Sequence, residues 1–173
     1  MKNASGTPVT YLGHPHLRLF RKVLFELFLQ PDPERLAAAA SSFLRQYPLP
    51  PADFPVIEKT YSRTILHKGE NGFEAMAARW DKDAVTPVHG HPSFIFYHVL
   101  EGGLAIDNYR RTPDTILLET SSFLGKGDFF FFQGEEGRFD NHIHQVHAIE
   151  ETLSIHISSD DSTKGELFSE TGV

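Results

Sequence analysis

From Val56 onward the chain changes character, and that change constrains its fold more than any other feature. Short runs rich in β-branched and aromatic residues are punctuated by Gly, Asp and Asn, which is how strands and their turns read. The runs span residues 56–67, 73–80, 94–101, 104–109, 115–120, 128–132, 145–149 and 152–157. Lys68-Gly69-Glu70-Asn71-Gly72 and Gly102-Gly103 read as hairpin turns, and Gly127-Asp128 as a strand entry. Many short strands joined by such turns predict a mainly β sandwich or barrel, of which the jelly roll is one form. No repeat or linker interrupts residues 56–158, so the chain reads as a single domain over residues 1–173. A polar tail follows at 159–173, in which Leu167 and Phe168 are expected to tuck back onto the body.

Before the barrel the period is helical. Residues 1–13 read as a loose arm. Leu17, Phe20, Leu24, Leu27 and Phe28 then fall on one face of a helix over residues 16–30. Pro31-Asp32-Pro33 ends that helix and starts another, with Asp32 as cap and Pro33 in the first turn. Leu36, Ala40, Phe43, Leu44 and Tyr47 continue a helical face until Pro48, Pro50 and Pro51. Residues 14–50 thus predict two N-terminal helices packed on the barrel.

Composition excludes several functions. The formal charge is -7 and no basic patch alternates with aromatics, which argues against a nucleic-acid partner. Arg18, Arg21, Lys22 and Glu26 interrupt the longest apolar stretch, and no secretory pattern opens the chain, so a soluble cytoplasmic protein without a membrane partner is expected. With no cysteine there is no disulfide, no thiolate ligand and no thiol nucleophile, and any metal must be held by nitrogen and oxygen.

Ten histidines supply the nitrogen. Residues i and i+2 of a strand face the same way, so His89 and His91 can grip one ion from one strand. His-x-His spacing alone is weak, because it also occurs at His14/His16, read as a solvated N-terminal segment, and at His142/His144. Context separates the central pair: residues 93–100 beside it are almost wholly apolar, and a polar pair next to a buried strand needs a partner. His142, His144 and His147 compete for the third position; the first two share a face, and spacing does not choose between them. No carboxylate stands close behind the pair, where Phe94, Ile95 and Phe96 occur, and Glu101 lies ten residues beyond His91, roughly 30 Å along a strand. A divalent ion held by neutral imidazoles alone keeps both its charges and favours an anionic ligand.

Tyr61-Ser62-Arg63, Gly72-Phe73-Glu74, Arg79-Trp80, Pro87-Val88-His89-Gly90-His91, Leu100-Glu101-Gly102, Ile143-His144-Gln145-Val146 and Ser154-Ile155-His156, in that order, resemble the thiol dioxygenases. These are cupins typified by cysteine dioxygenase and 3-mercaptopropionate dioxygenase, and the similarity runs from about Tyr61 to Ile157. The resemblance implies a cupin-type jelly roll and a mononuclear Fe(II) held by His89, His91 and His144. It implies that a small carboxylated thiol and O2 meet at the iron and that sulfur leaves as a sulfinic acid. Arg63 matches the position whose planar guanidinium binds the substrate carboxylate by two points, and Tyr61 adds a hydroxyl from the same strand face. Ser154 and His156 match the start of a Ser-His-Tyr hydrogen-bond relay beside the metal.

The chain departs from the family pattern in places. Ser158 stands where the relay tyrosine belongs, Ile95 replaces the cysteine of the Cys–Tyr crosslink, and His147 and Ala148 stand near a usual Asn. Two other functions compete with the thiol dioxygenase: a cupin oxygenase for another anionic chelator such as a diketone, and a non-catalytic metal-binding or sensing cupin.

Overall fold

A computed structural model describes residues 9–10, 22, 32–47, 49–69 and 72–169. The described strands are β1 (Val9–Thr10), β2 (Tyr61–Lys68), β3 (Glu74–Trp80), β4 (Val88–His91), β5 (Phe94–Glu101), β6 (Gly103–Arg111), β7 (Ile116–Gly125), β8 (Phe129–Gln133), β9 (Asn141–Ala148), β10 (Thr152–Ser158) and β11 (Leu167–Phe168). They form two sheets, ordered β1-β2-β3-β10-β5-β8 and β11-β4-β9-β6-β7, antiparallel throughout except where β1 runs parallel to β2.

Among the described residues there is one α-helix, α1 (Pro33–Gln46). Asp32 caps it as the sequence indicates, accepting from Glu34 N and Arg35 N at 3.1 and 3.4 Å. The expected helix at 16–30, like His14 and His16, lies outside the described residues, Lys22 apart. The mainly β architecture with a helix before it is therefore observed, with one helix described where two were expected.

Alternation along the strands separates two cores. Leu36, Ala40 and Leu44 of α1 pack with Leu66, Ala77, Phe96, Ile155 and Ile157 on the outer face of the six-stranded sheet. Its other face meets the second sheet around Ala78, Trp80, Tyr97, Val99, Ile106 and Val146, the barrel interior. The site residues Tyr61, Arg63, Ser154 and His156 share parity with this interior set, since Tyr61 pairs with Trp80, Arg63 and Ser154 with Ala78, and His156 with Tyr97.

Two strands differ from expectation in ways that matter for the site. β2 begins at Tyr61 rather than 56, because the chain before it turns, with Lys59 at φ 63°. β9 begins at Asn141, four residues before the expected start, so it carries both His142 and His144.

Candidate metal centre

β4 and β9 bring three histidines together. His89 pairs directly with His144, while His91 pairs with Asn141, so β9 holds one residue more than β4 between the two pairs. That bulge falls at His142, whose φ of 46° is left-handed. Gly90 is required between the ligands: a Cβ there would stand 2.6 Å from both Asp140 Cα and Phe139 O. The missing side chain lets the 135–140 loop, tied down by Asn141, lie against the metal strand.

The rings of His89, His91 and His144 form a nearly equilateral triangle, with centroids 4.7, 4.7 and 4.6 Å apart and planes inclined by 59°, 70° and 80°. One nitrogen from each lies within 4.8 Å of the others. His91 Nε2 and His144 Nε2 stand 2.9 Å apart. Two imidazoles binding one ion at about 2.1 Å and at right angles would put their nitrogens about 3 Å apart, so the spacing suits a shared cation. His89 Nδ1–H donates to Pro87 O at 2.9 Å, which leaves Nε2 as a free lone pair. Burial holds all three imidazoles below the usual histidine range, so they are neutral, as ligands must be. The trio contains no carboxylate.

The three histidines that compete for the third position are placed differently. His144 joins the trio. His147 faces outward, 3.9 Å from the Asp83 carboxylate. His142 stands behind His144, its Nε2 3.0 Å from His144 Nδ1 and 2.8 Å from the Tyr97 hydroxyl. Burial, with the neighbouring His89 adding to it, lowers the His142 pKa to about 4.

Around the trio, Trp80 Nε1 donates to Ser154 Oγ at 2.8 Å, and Ser154 Oγ lies 2.8 Å from His156 Nε2. An indole N–H only donates, so the serine accepts there and keeps its own proton and a second lone pair for the contact with His156 Nε2. Burial, with Arg63 and His89 adding to it, lowers the His156 pKa to about 3. Ser158, at the expected relay tyrosine position, takes no part in this chain and donates instead to Asp160 O at 2.6 Å.

Arg63 lies on the same interior face, near enough for its charge to disfavour protonation of His89 and His156. It is already engaged. Nη2 donates to Glu74 Oε1 at 3.0 Å and to Ser162 Oγ, and Nε approaches Met76 Sδ at 3.0 Å. Ser162 also donates to Glu74 at 2.8 Å. Nη1 makes none of these contacts. Tyr61 stacks on Trp80 with centroids 4.4 Å apart, and burial raises its phenol pKa. Sequence reasoning missed Glu74 and Ser162 as partners of Arg63, and Tyr97 as a neighbour of the metal trio. Glu74 stands inside the Gly72-Phe73-Glu74 motif, but nothing in its spacing points it at Arg63; Tyr97 shares its strand with Phe94 and Phe96 and does not stand out from them.

The chain matches no protein-family model, and no curated protein matches it. Its fold does match solved structures. A cupin superfamily protein from Desulfitobacterium hafniense is 13% identical over 67% of this chain and 93% of its own, with a TM-score of 0.52. An RmlC-like cupin from Shewanella frigidimarina is 20% identical over 59% and 78%, at a TM-score of 0.45. A mutant of the Bacillus subtilis oxalate decarboxylase is 16% identical over 57% of this chain and 24% of its own, at 0.43. The first of these likenesses is one of fold alone: the chain has a cupin-like fold, with a candidate three-histidine metal site. No helix among the described residues is long and apolar enough to cross a membrane.

Proposed function

We propose that this chain is an Fe(II)-dependent dioxygenase that converts a small carboxylated thiol, cysteine or 3-mercaptopropionate, to its sulfinic acid. The observation that carries this reading is a trio of neutral imidazoles without a carboxylate, with an arginine on the same interior face. Such a site retains the charge of a divalent cation and so favours a thiolate and a second anionic group on one small molecule. Iron bound at His89, His91 and His144 would supply the redox centre for joining O2 to sulfur. Both oxygen atoms enter the product, sulfur loses four electrons and O2 gains them, so no external reductant is needed.

The chain's own groups have separable tasks. Arg63 Nη1 and the Tyr61 hydroxyl bind the substrate carboxylate. Ser154 engages His156 Nε2 and so orients its ring. Trp80, Tyr97 and Val99 keep the surrounding barrel apolar and exclude water from it.

Iron-reconstituted protein in an oxygen electrode, offered cysteine, 3-mercaptopropionate and cysteamine with mass detection of product, tests the reading. Uptake with a carboxylated thiol, a product heavier by two oxygens, and loss of iron from His144→Ala are expected. Thiol binding without turnover would instead make the chain a binding module, and uptake only with a non-thiol chelator would make it a different oxygenase.

A further inference from the structure

Each ring of the trio offers one nitrogen to a metal, and the other three nitrogens fare differently. His89 Nδ1–H has a fixed backbone acceptor, and His91 Nδ1 is buried without a partner. Only His144 presents its second nitrogen to another imidazole, that of His142, and the same His142 Nε2 meets the Tyr97 hydroxyl. A neutral imidazole nitrogen either donates or accepts. The three groups are therefore coupled, and two arrangements exist. If the proton lies on His144 Nε2, shared with His91, then His144 Nδ1 accepts from His142 Nε2–H and the Tyr97 oxygen can accept too. If His144 Nε2 gives its lone pair to a cation, Nδ1 carries the proton and donates to His142 Nε2. The His142 proton then sits on Nδ1, and the Tyr97 O–H becomes a second donor to one lone pair. Net charge is the same in both.

We infer that His142 is a positioning residue for the third ligand, and that Tyr97 opposes it: His142 Nε2 accepts the His144 Nδ1–H and so commits His144 Nε2 to the metal, while the Tyr97 hydroxyl competes for the same acceptor. This rests on the three-histidine metal centre. The fold holds His142 in place for the task. Its backbone is left-handed at a bulge, a conformation uncommon for an L-residue. Its ring lies between those of Phe130 and Phe132, at centroid distances of 4.7 and 5.3 Å and inclinations of 22° and 24°. His142 also lines a pocket of about 410 Å³ with Tyr109, Arg110, Arg111, Arg138 and Asp140. Each of these arginines meets a carboxylate, Arg110 that of Glu119 and the other two that of Asp140.

The test uses Zn(II), which is diamagnetic and redox-silent, titrated against a chromophoric chelator. His142→Leu should weaken Zn(II) binding about 10- to 100-fold, the usual cost of losing an outer partner of a ligating histidine. His142→Gln, whose amide oxygen can accept, should recover most of that loss, and Tyr97→Phe should bind at least as tightly as the wild type. Nitrogen-15 NMR of the Zn(II)-loaded wild type should find the His142 proton on Nδ1, a readout independent of any variant's folding. Wild-type affinity in His142→Leu, a Gln variant no better than Leu, or a His142 proton on Nε2 overturns the inference while leaving the metal centre intact. A wild-type chain that binds no Zn(II) overturns the metal centre and this inference with it.

Discussion

Arg63 reaches the barrel interior with three of its five donors engaged. Its side chain is 12% exposed and that of Glu74 3%, so the ion pair between them is screened little by water. A carboxylate gripped by two parallel bonds needs two neighbouring nitrogens, and Nη2, common to the Nη1/Nη2 edge and the Nε/Nη2 edge, is held by Glu74 and Ser162. The two-point clamp implied by the family resemblance is thus reduced to Nη1, unless the substrate displaces Glu74. This sets opposite expectations for two substitutions. Arg63→Ala should raise KM for the carboxylated thiol tenfold or more, with a smaller change in kcat at saturation. Glu74→Gln keeps a hydrogen-bonding amide but removes the competing charge, and should lower KM several-fold. Steady-state oxygen uptake over a range of thiol concentration reads both; an unchanged KM in the pair would remove Arg63 from substrate binding.

Between elements, the junction of α1 with the six-stranded sheet turns on one polar contact. His98 is 1% exposed on β5, and its Nδ1 lies 3.1 Å from Ser41 Oγ of α1. Burial lowers its pKa to about 4, Arg45 adds to the effect and Asp128 opposes it. The folded chain therefore resists a proton that the unfolded chain accepts near pH 6.5. The stability gained from keeping His98 neutral is full above that pH and is lost as pH falls from about 6.5 to about 4. Urea unfolding across this window should show the decline, and His98→Gln should flatten it; an equal slope in both proteins would place the proton uptake elsewhere. His142 and His156 act in the same direction, so the difference between the two proteins is the quantity to read. The elements on either side of this junction were legible in the sequence for a physical reason. α1 shows its apolar face and its cap, and residues 94–101 are apolar on both faces because α1 covers one and the barrel the other. The start of β9 was not legible, because Asn141-His142-Ile143-His144 has three polar residues and a bulge that breaks alternation. Tyr97 escaped notice for the opposite reason: within a strand buried on both faces, an aromatic with a polar tip carries no periodic signal. The trio was readable as parity plus resemblance, but a partner of Arg63 eleven residues away depended on β2–β3 register that spacing does not fix.

On the scale of the whole molecule, the core and the site are closed by different parts of the chain. No buried apolar residue among those described lies beyond Ile157. The segment that follows packs on the site instead. Ser162 ties Arg63 to Glu74, Lys68 meets Asp161 at 2.6 Å, and β11 pairs with the metal strand at Leu167↔His89. Glu166 joins three segments: its carbonyl accepts from Gly90 N of β4 at 2.8 Å, its amide donates to Phe139 O before β9 at 2.9 Å, and its carboxylate meets Arg111 of β6 at 3.0 Å. This strap holds β4 from the side opposite β9, so His89 is paired on both edges and Gly90 N–H is bonded on the strap side. A chain ended after Ser159 keeps every member of both cores and loses these contacts, together with the Ser158–Asp160 bond and the Arg111–Phe168 and Lys164–Phe139 contacts. It should remain cooperatively folded, with Tm lower by about 5–10 °C, while its Zn(II) affinity falls at least tenfold. Calorimetry beside chelator competition separates the two effects: a global loss of folding would make the strap part of the core, and unchanged affinity would show that β9 alone positions the metal strand.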